Sequence, residues 1–185
     1  MIKIKIELKK INESDLEQIM HWRMKPSVTK FMNTDPHLTM EDQKKWFKSI
    51  NESKTSRFWK IVADGVDIGV LGLIDIDYDN LRCCWQWYIG EEQYRGLGIA
   101  KQIQLNVYDY VFYNMNLHRL YNKILSVNKH VIQNVHEKCG YKVEGELIDH
   151  IYKNGQFYNM TIMGITKDMW ESIKNKYSYD KIEFE

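Results

Sequence analysis

The chain has 185 residues, of which 44% are hydrophobic, 28% charged and 13% aromatic, a composition that fits one domain over 1–185 with a sizeable core. Twenty-six basic side chains against 25 acidic ones leave a formal net charge of +1, which excludes the global positive field of a nucleic-acid binder. Three cysteines without a spaced framework point to reduced thiols and a cytoplasmic home, not to a disulfide scaffold or a zinc site.

The start alternates as Met1-Ile-Lys-Ile-Lys-Ile. It lacks the apolar run of a signal peptide or membrane span and reads as a strand over 2–8 with Ile2, Ile4 and Ile6 on one face. Ser14 and Glu17 have the spacing of a capping box, and Leu16, Ile19, Met20 and Arg23 follow at helical spacing until Pro26 ends the helix. After a loop at Asp35-Pro36, Thr39 and Asp42 open a second helix carrying Lys45, Trp46, Phe47 and Ile50. The period then changes to that of strands: Phe58 to Ala63, a turn at Asp64-Gly65, Ile68 to Asp77, a turn to Asn80, and Cys83 to Ile89. Neighbouring Cys83 and Cys84 should point to opposite faces. A helix runs from about Gly98 to Tyr113, a strand from Arg119 to Val127, and a helical stretch over 130–138 is stopped by Gly140. Tyr141 to Tyr152 and Gln156 to Ile165 form a last pair around Lys153-Asn154-Gly155, before a short helix and a charged tail. This order implies an α/β fold with a mixed sheet covered by helices on both faces.

The strongest local signal is Gln93-Tyr94-Arg95-Gly96-Leu97-Gly98-Ile99-Ala100, between a strand and a helix. Glycines let the backbone curl close to a ligand, and the N–H groups at a helix start favour an anion such as a pyrophosphate. Arg95 and Lys101 either add charge there or are simply solvated. The spacing matches neither a Walker loop nor a dinucleotide-binding glycine motif; a plain glycine turn is the other reading.

Arg95, Gly98 and Ala100 match the Gln/Arg-x-x-Gly-x-Gly/Ala loop of the GNAT acetyltransferase superfamily, and Asn128 followed by His136-Glu137-Lys138-Cys139-Gly140-Tyr141 resembles its second motif. The element order resembles that fold from end to end, with a mostly antiparallel central sheet. The resemblance implies acetyl-CoA as co-substrate, no metal, and a V-shaped opening between the fourth and fifth strands. Tyr88 and Ile89, at the fourth-strand end, would pair with the pantetheine arm. Backbone N–H groups of Arg95, Gly96, Leu97, Gly98, Ile99, Ala100 and Lys101 would hold the pyrophosphate. Asn128 would bond the cofactor, cap a helix, or do both. His136 stands where many members carry a tyrosine that protonates the departing thiolate; imidazole suits that task, although a helix histidine is as often structural. A backbone N–H near the fourth-strand end is the oxyanion donor. Asp75, Asp77 and Asp79 are within reach as a base but equally suit a turn, and an acyl-cysteine route lacks a nucleophile–base pair.

His21-Trp22-Arg23, Pro26-Ser27-Val28, Met32, Thr39, Trp46, Phe47 and the run Asp149 to Tyr158 resemble the amino-sugar N-acetyltransferases of pseudaminic-acid synthesis. That likeness implies a small-molecule, UDP-linked amine acceptor, with Trp22, Trp46, Trp59, Trp85 and Trp87 as ring platforms and Arg23 and Arg57 on the diphosphate. Each tryptophan has a core role as its alternative, and Arg23 a solvated one. Ribosomal-protein N-terminal acetyltransferases share the tail pattern. A polyamine acetyltransferase or a non-catalytic CoA-binding module are the other readings. Family habit suggests a homodimer, and neither nucleic acid nor membrane is expected as a partner.

Overall fold

The computed structural model describes residues 4–185; Ile2, placed in the first strand above, lies outside them. Among the described residues seven strands form one sheet: β1 (Ile6–Lys10), β2 (Arg57–Ala63), β3 (Val66–Asp77), β4 (Arg82–Ile89), β5 (Arg119–Leu125), β6 (Lys142–Lys153) and β7 (Gln156–Thr166). Their spatial order is β1-β2-β3-β4-β5-β7-β6. All neighbours are antiparallel except β4 and β5, which run parallel. Among the described residues β1 begins at Ile6, opposite Ala63 at the end of β2, and Ile4 lies outside it.

The helices are α1 (Leu16–Met24), α2 (Pro26–Thr29), α3 (Met40–Glu52), α4 (Ile99–Asp109) and α5 (Lys167–Ile173). The expected Ser14–Glu17 box does not form. Asn12 and Asp15 make it two residues earlier, the Asp15 carboxylate accepting from the Asn12 N–H at 2.8 Å. Thr39 and Asp42 do form theirs, the Thr39 hydroxyl accepting from the Asp42 N–H at 3.2 Å. Lys25 turns extended before Pro26, which then starts α2 at its first position. The long helix leaves α geometry at Asp109 and closes as a π-helical turn over Tyr110–Asn114. Another π-type segment, Val131–His136, precedes Gly140, whose φ of 92° ends the helix.

Helices cover both faces of the sheet. On one face α1 and α3 pack Leu16, Ile19, Trp22, Trp46 and Phe47 against Val70, Phe58 and Tyr88. On the other, α4, the Val131–Cys139 segment and α5 bury Ile103, Tyr108, Ile132 and Trp170 against Leu71, Trp85 and Met163. Cys83 and Cys84 are both buried, as opposite faces of a twice-covered strand require. No helix among the described residues is long and apolar enough to cross a membrane.

Candidate active site

The parallel ladder between β4 and β5 is short. It joins Arg82, Cys83 and Cys84 to Arg119, Leu120 and Tyr121 and goes no further, although β4 continues to Ile89 and β5 to Leu125. Each strand stays bonded to its outer neighbour, β4 to β3 and β5 to β7, so the two part like a V toward their carboxyl ends. Parallel sheets take ligands at such ends. The last bridge across the gap is a side chain: the Asn122 amide donates to the Trp85 carbonyl at 3.0 Å.

Backbone groups alternate sides along a strand. Trp85 O faces β5, and the Gly90 N–H donates to Ile68 of β3. The groups that point into the opening are therefore those of Trp87 and Ile89. Tyr88, expected beside the pantetheine arm, gives its backbone to β3, opposite Val70. Its ring lies on the α1–α3 side.

The glycine loop follows at the mouth of the V. Gly96 and Gly98 have φ of 80° and 82°, and both would place a Cβ in open space. Glycine is needed for the backbone angle and for nothing packed behind it. Among the described residues, none of the backbone N–H groups from Gly96 to Lys101 donates to a protein acceptor, which leaves six donors without a protein partner around a helix N-terminus. Leu97 is exposed and Ile99 buried in the core. Arg95 turns away from that place: Nε and a terminal nitrogen donate to the Ile89 carbonyl at 3.1 and 2.7 Å, bracing the loop against the end of β4. Lys101 lies over the Tyr177 ring at 5.4 Å. Asn128 caps the segment after β5 through its backbone, its carbonyl accepting from the Ile132 N–H at 3.2 Å.

His136 is 1% exposed, with its ring 5.7 Å from Trp85 and 5.1 Å from Tyr141. Burial lowers its pKa to about 3, so the imidazole is neutral near pH 7. Burial also pushes the Cys83 and Cys84 thiols up to about 12 and Cys139 to about 11. None supplies a thiolate for an acyl-enzyme.

The expected acceptor residues separate. Arg23 lies on the α1–α3 side near Tyr88 and Asp35, its guanidinium donating to the Thr34 hydroxyl at 2.6 Å. Trp46 is on that side too, packed edge-on against Phe58 at 5.6 Å. Trp87 is across the sheet, stacked on Trp85 at 6.2 Å. Trp22, Trp59 and Trp85 are at most 4% exposed and present no ring platform. Arg57 bonds the Tyr110 and Tyr78 hydroxyls, at 2.8 and 3.2 Å, and no contact joins it to Arg23. Asp77 is a turn residue held by Asn80 and Arg82. Asp75 accepts from Tyr121 at 3.3 Å, at the closed end of the V.

Three contributors escaped the sequence reading. Asn122 left a trace, a polar residue between Leu120 and Ile124 on the core-facing register. Glu91 accepts from the Trp22 indole at 2.6 Å and from Lys25 at 3.4 Å, joining α1 to the loop after β4. Lys153 reads as a turn residue, yet it is 8% exposed. Its ammonium donates to the carbonyls of Thr29 at 3.0 Å and Met32 at 2.7 Å, pinning the α2–α3 loop to the β6–β7 hairpin.

A family profile described as "Acetyltransferase (GNAT) domain" matches residues 5–142. The spermidine N(1)-acetyltransferase of Escherichia coli K12 is 26% identical over 160 residues, covering 86% of this chain and 85% of that protein. The acetyltransferase PseH of Campylobacter jejuni is 23% identical over 134 residues, 72% of this chain and 80% of its own. Among solved structures, the spermidine N-acetyltransferase of Vibrio cholerae in complex with CoA and spermine superposes with a TM-score of 0.83 at 21% identity, over 90% of this chain and 98% of that one. Its likeness is one of fold. With the V-shaped opening and the donor loop in place, the profile match over most of the chain assigns it: the protein belongs to the GNAT acetyltransferase family and is an acetyl-CoA-dependent N-acetyltransferase.

Proposed function

We propose that the chain acetylates a primary amine of a small polyamine by direct attack on acetyl-CoA, all within one domain. The observation that carries the transfer is the opening between β4 and β5, with the inward backbone groups of Trp87 and the Ile89 N–H on one wall and loop N–H groups that donate to no protein acceptor among the described residues at its mouth. These residues fit the co-substrate. Gly96 to Lys101 would hold the pyrophosphate, and the inward groups of Trp87 and the Ile89 N–H would pair with the amides of the pantetheine arm, the Ile89 carbonyl being held by Arg95. Acetyl-CoA bound there supplies the thioester carbonyl. Arg95 serves as a brace for the loop, Asn128 fixes the segment leading to His136, and His136 acts as a neutral hydrogen-bond donor toward the leaving sulfur. The inward N–H at the end of β4 stabilises the oxyanion.

Polyamine as the acceptor is supported by the spermidine N(1)-acetyltransferases, similar over 86% of the chain. The amino-sugar expectation has weaker support: PseH is more distant, and most of the tryptophans invoked for a uracil platform are core. One observation favours it as a second reading. On the α1–α3 side the half-buried Arg23 hydrogen-bonds Thr34 and, among the described residues, no carboxylate, and Lys153 stands near it with Asp35 close to both, so two cations face one carboxylate, which suits a phosphate-bearing amine better than a polycation.

Release of CoA thiol, followed with spermidine, spermine, a UDP-linked 4-amino sugar and a peptide N-terminus, tests the reading. Turnover is expected with the polyamines. Turnover confined to the UDP-amino sugar would transfer the assignment to the second reading, and turnover confined to the peptide would sink both.

A further inference from the structure

The segment that joins α1 to α3 crosses the widest part of the β4–β5 opening. Its first half is fastened to β4. Lys25 donates to the Gly90 carbonyl at 2.9 Å, and Arg95, which braces the end of β4, reaches the Ser27 hydroxyl at 3.4 Å. Its second half is fastened to the tip of the β6–β7 hairpin. The Lys153 ammonium donates to the carbonyls of Thr29, Lys30 and Met32 at 3.0, 3.4 and 2.7 Å, and the Asn154 amide donates to Asp35 at 3.2 Å. That tip stands at the open end of the V. β6 is antiparallel to β7, and β7 to β5, so β6 ends on the side where β4 and β5 end. Because β5 and β7 lie between β4 and β6 in the sheet, residues 25–35 span the gap as a strap.

The strap closes on Lys153. An ammonium carries three N–H groups and no acceptor, and a buried charge needs bonded partners. Three backbone carbonyls meet it here, the Tyr158 ring lies 5.4 Å away, and the residue is only 8% exposed. A cation held on backbone fixes the height of the strap, since carbonyls cannot swing aside as side chains do. Arg23 adds a hold from α1, at the Thr34 hydroxyl. The sheet below stays open. Gln86 of β4 and Lys123 of β5 lie on the same face as Tyr88, and both are exposed. A fixed roof over an open floor admits a chain and stops a body. We infer that Lys153 is a specificity-determining residue. By pinning the strap it makes the acceptor thread a closed entrance, which passes a slim unbranched amine and refuses one carried on a broad group such as a peptide backbone. The inference rests on the polyamine reading for the amine admitted, but not for the strap.

Hydrogen exchange read by mass spectrometry tests the strap without any substrate. The backbone over 25–35 is expected to be protected in wild type. It should exchange faster in Lys153→Met, which keeps the stem and removes the ammonium. Asn154→Gly keeps the turn, because glycine accepts its positive φ, and should loosen the strap to a smaller degree. Unchanged protection of β3 and β5 shows that either variant has folded. The filter is read from kcat/KM for spermidine against that for a short peptide with a free N-terminus. Lys153→Met should raise the peptide relative to spermidine by about tenfold, with the KM for acetyl-CoA unchanged. A merely structural role would lower both acceptors alike. Wild-type exchange over 25–35 in Lys153→Met would overturn the latch. A loosened strap with an unchanged ratio would overturn the filter, as would a wild type that prefers the peptide, or no peptide turnover by either protein. The polyamine reading fails separately. Turnover of the UDP-amino sugar alone would end it, while the exchange and the ratio taken with that sugar would still decide the strap.

Discussion

At the scale of single residues, His136 couples folding to pH. Its pKa is lowered from 6.5 to about 3 by burial. Below the ordinary histidine value the unfolded chain binds a proton that the folded chain refuses, so stability present above about pH 6.5 is lost as the pH falls toward 3. The slope from this one group is about 1.4 kcal/mol per pH unit. Urea unfolding at about pH 6 and about pH 5 should therefore show wild type losing roughly that much more stability than His136→Phe. An equal loss in both proteins would mean that the imidazole is protonated when folded. The sequence disclosed the position of His136 in its motif. It disclosed neither the burial nor the neighbours, because both come from Trp85 and Tyr141, which pack against the imidazole from β4 and from the residue just before β6. The tryptophans show the same limit. An indole at a strand position can fill a core or offer a platform, and only the helix above it decides.

At the scale of elements, the loop was legible and the opening was not. Two glycines flanked by a strand and an apolar-periodic helix specify a left-handed turn at a helix start, and φ of 80° and 82° at Gly96 and Gly98 agree with that. Gly98→Val should accordingly cost about 1–2 kcal/mol from forcing a side chain into that region, seen as a lower Tm. It should weaken acetyl-CoA binding more than it changes kcat, since the loop N–H groups would be displaced. Unchanged affinity in a folded variant would count against the loop as the phosphate site. By contrast, alternation in β4 and β5 reveals two strands and hides where they stop pairing. Where the ladder ends, the Asn122 side-chain amide, and no backbone donor, bonds the Trp85 carbonyl. Helix ends divided similarly. Thr39 and Asp42 form the box their spacing suggests, whereas Asn12 and Asp15 take the place of Ser14 and Glu17 two residues earlier. The π-helical turn over Tyr110–Asn114 has no sequence mark that periodicity would detect.

At the scale of the whole molecule, sheet and helices on both faces follow from the order of periods along the chain, and that much was readable. The α1–α3 side, where the proposed acceptor residues gather, was not, because it is assembled from distant pieces. Lys153 of the hairpin grips the carbonyls of Thr29 and Met32, more than a hundred residues earlier in the chain, and Glu91 ties Trp22 to the loop beyond β4. Such long-range joins set the shape of a pocket without any local pattern.

The parting of β4 and β5 also gives the sheet two edges in its interior. Strand edges are places where a protein opens, exchanges its amide hydrogens and invites foreign strands. A co-substrate lying in the gap would act as a missing strand. The amides of Trp87 and Ile89, which point into the opening, should exchange quickly in the empty protein and become protected when acetyl-CoA is added. Over the same titration, stability should rise by about 2.7 kcal/mol once the ligand reaches a hundred times its dissociation constant. Exchange at these two amides that ignores the ligand would place acetyl-CoA somewhere else. If the protection appears, the protein's resilience is set by the supply of its co-substrate, and a cell short of acetyl-CoA would hold this enzyme in its more fragile form.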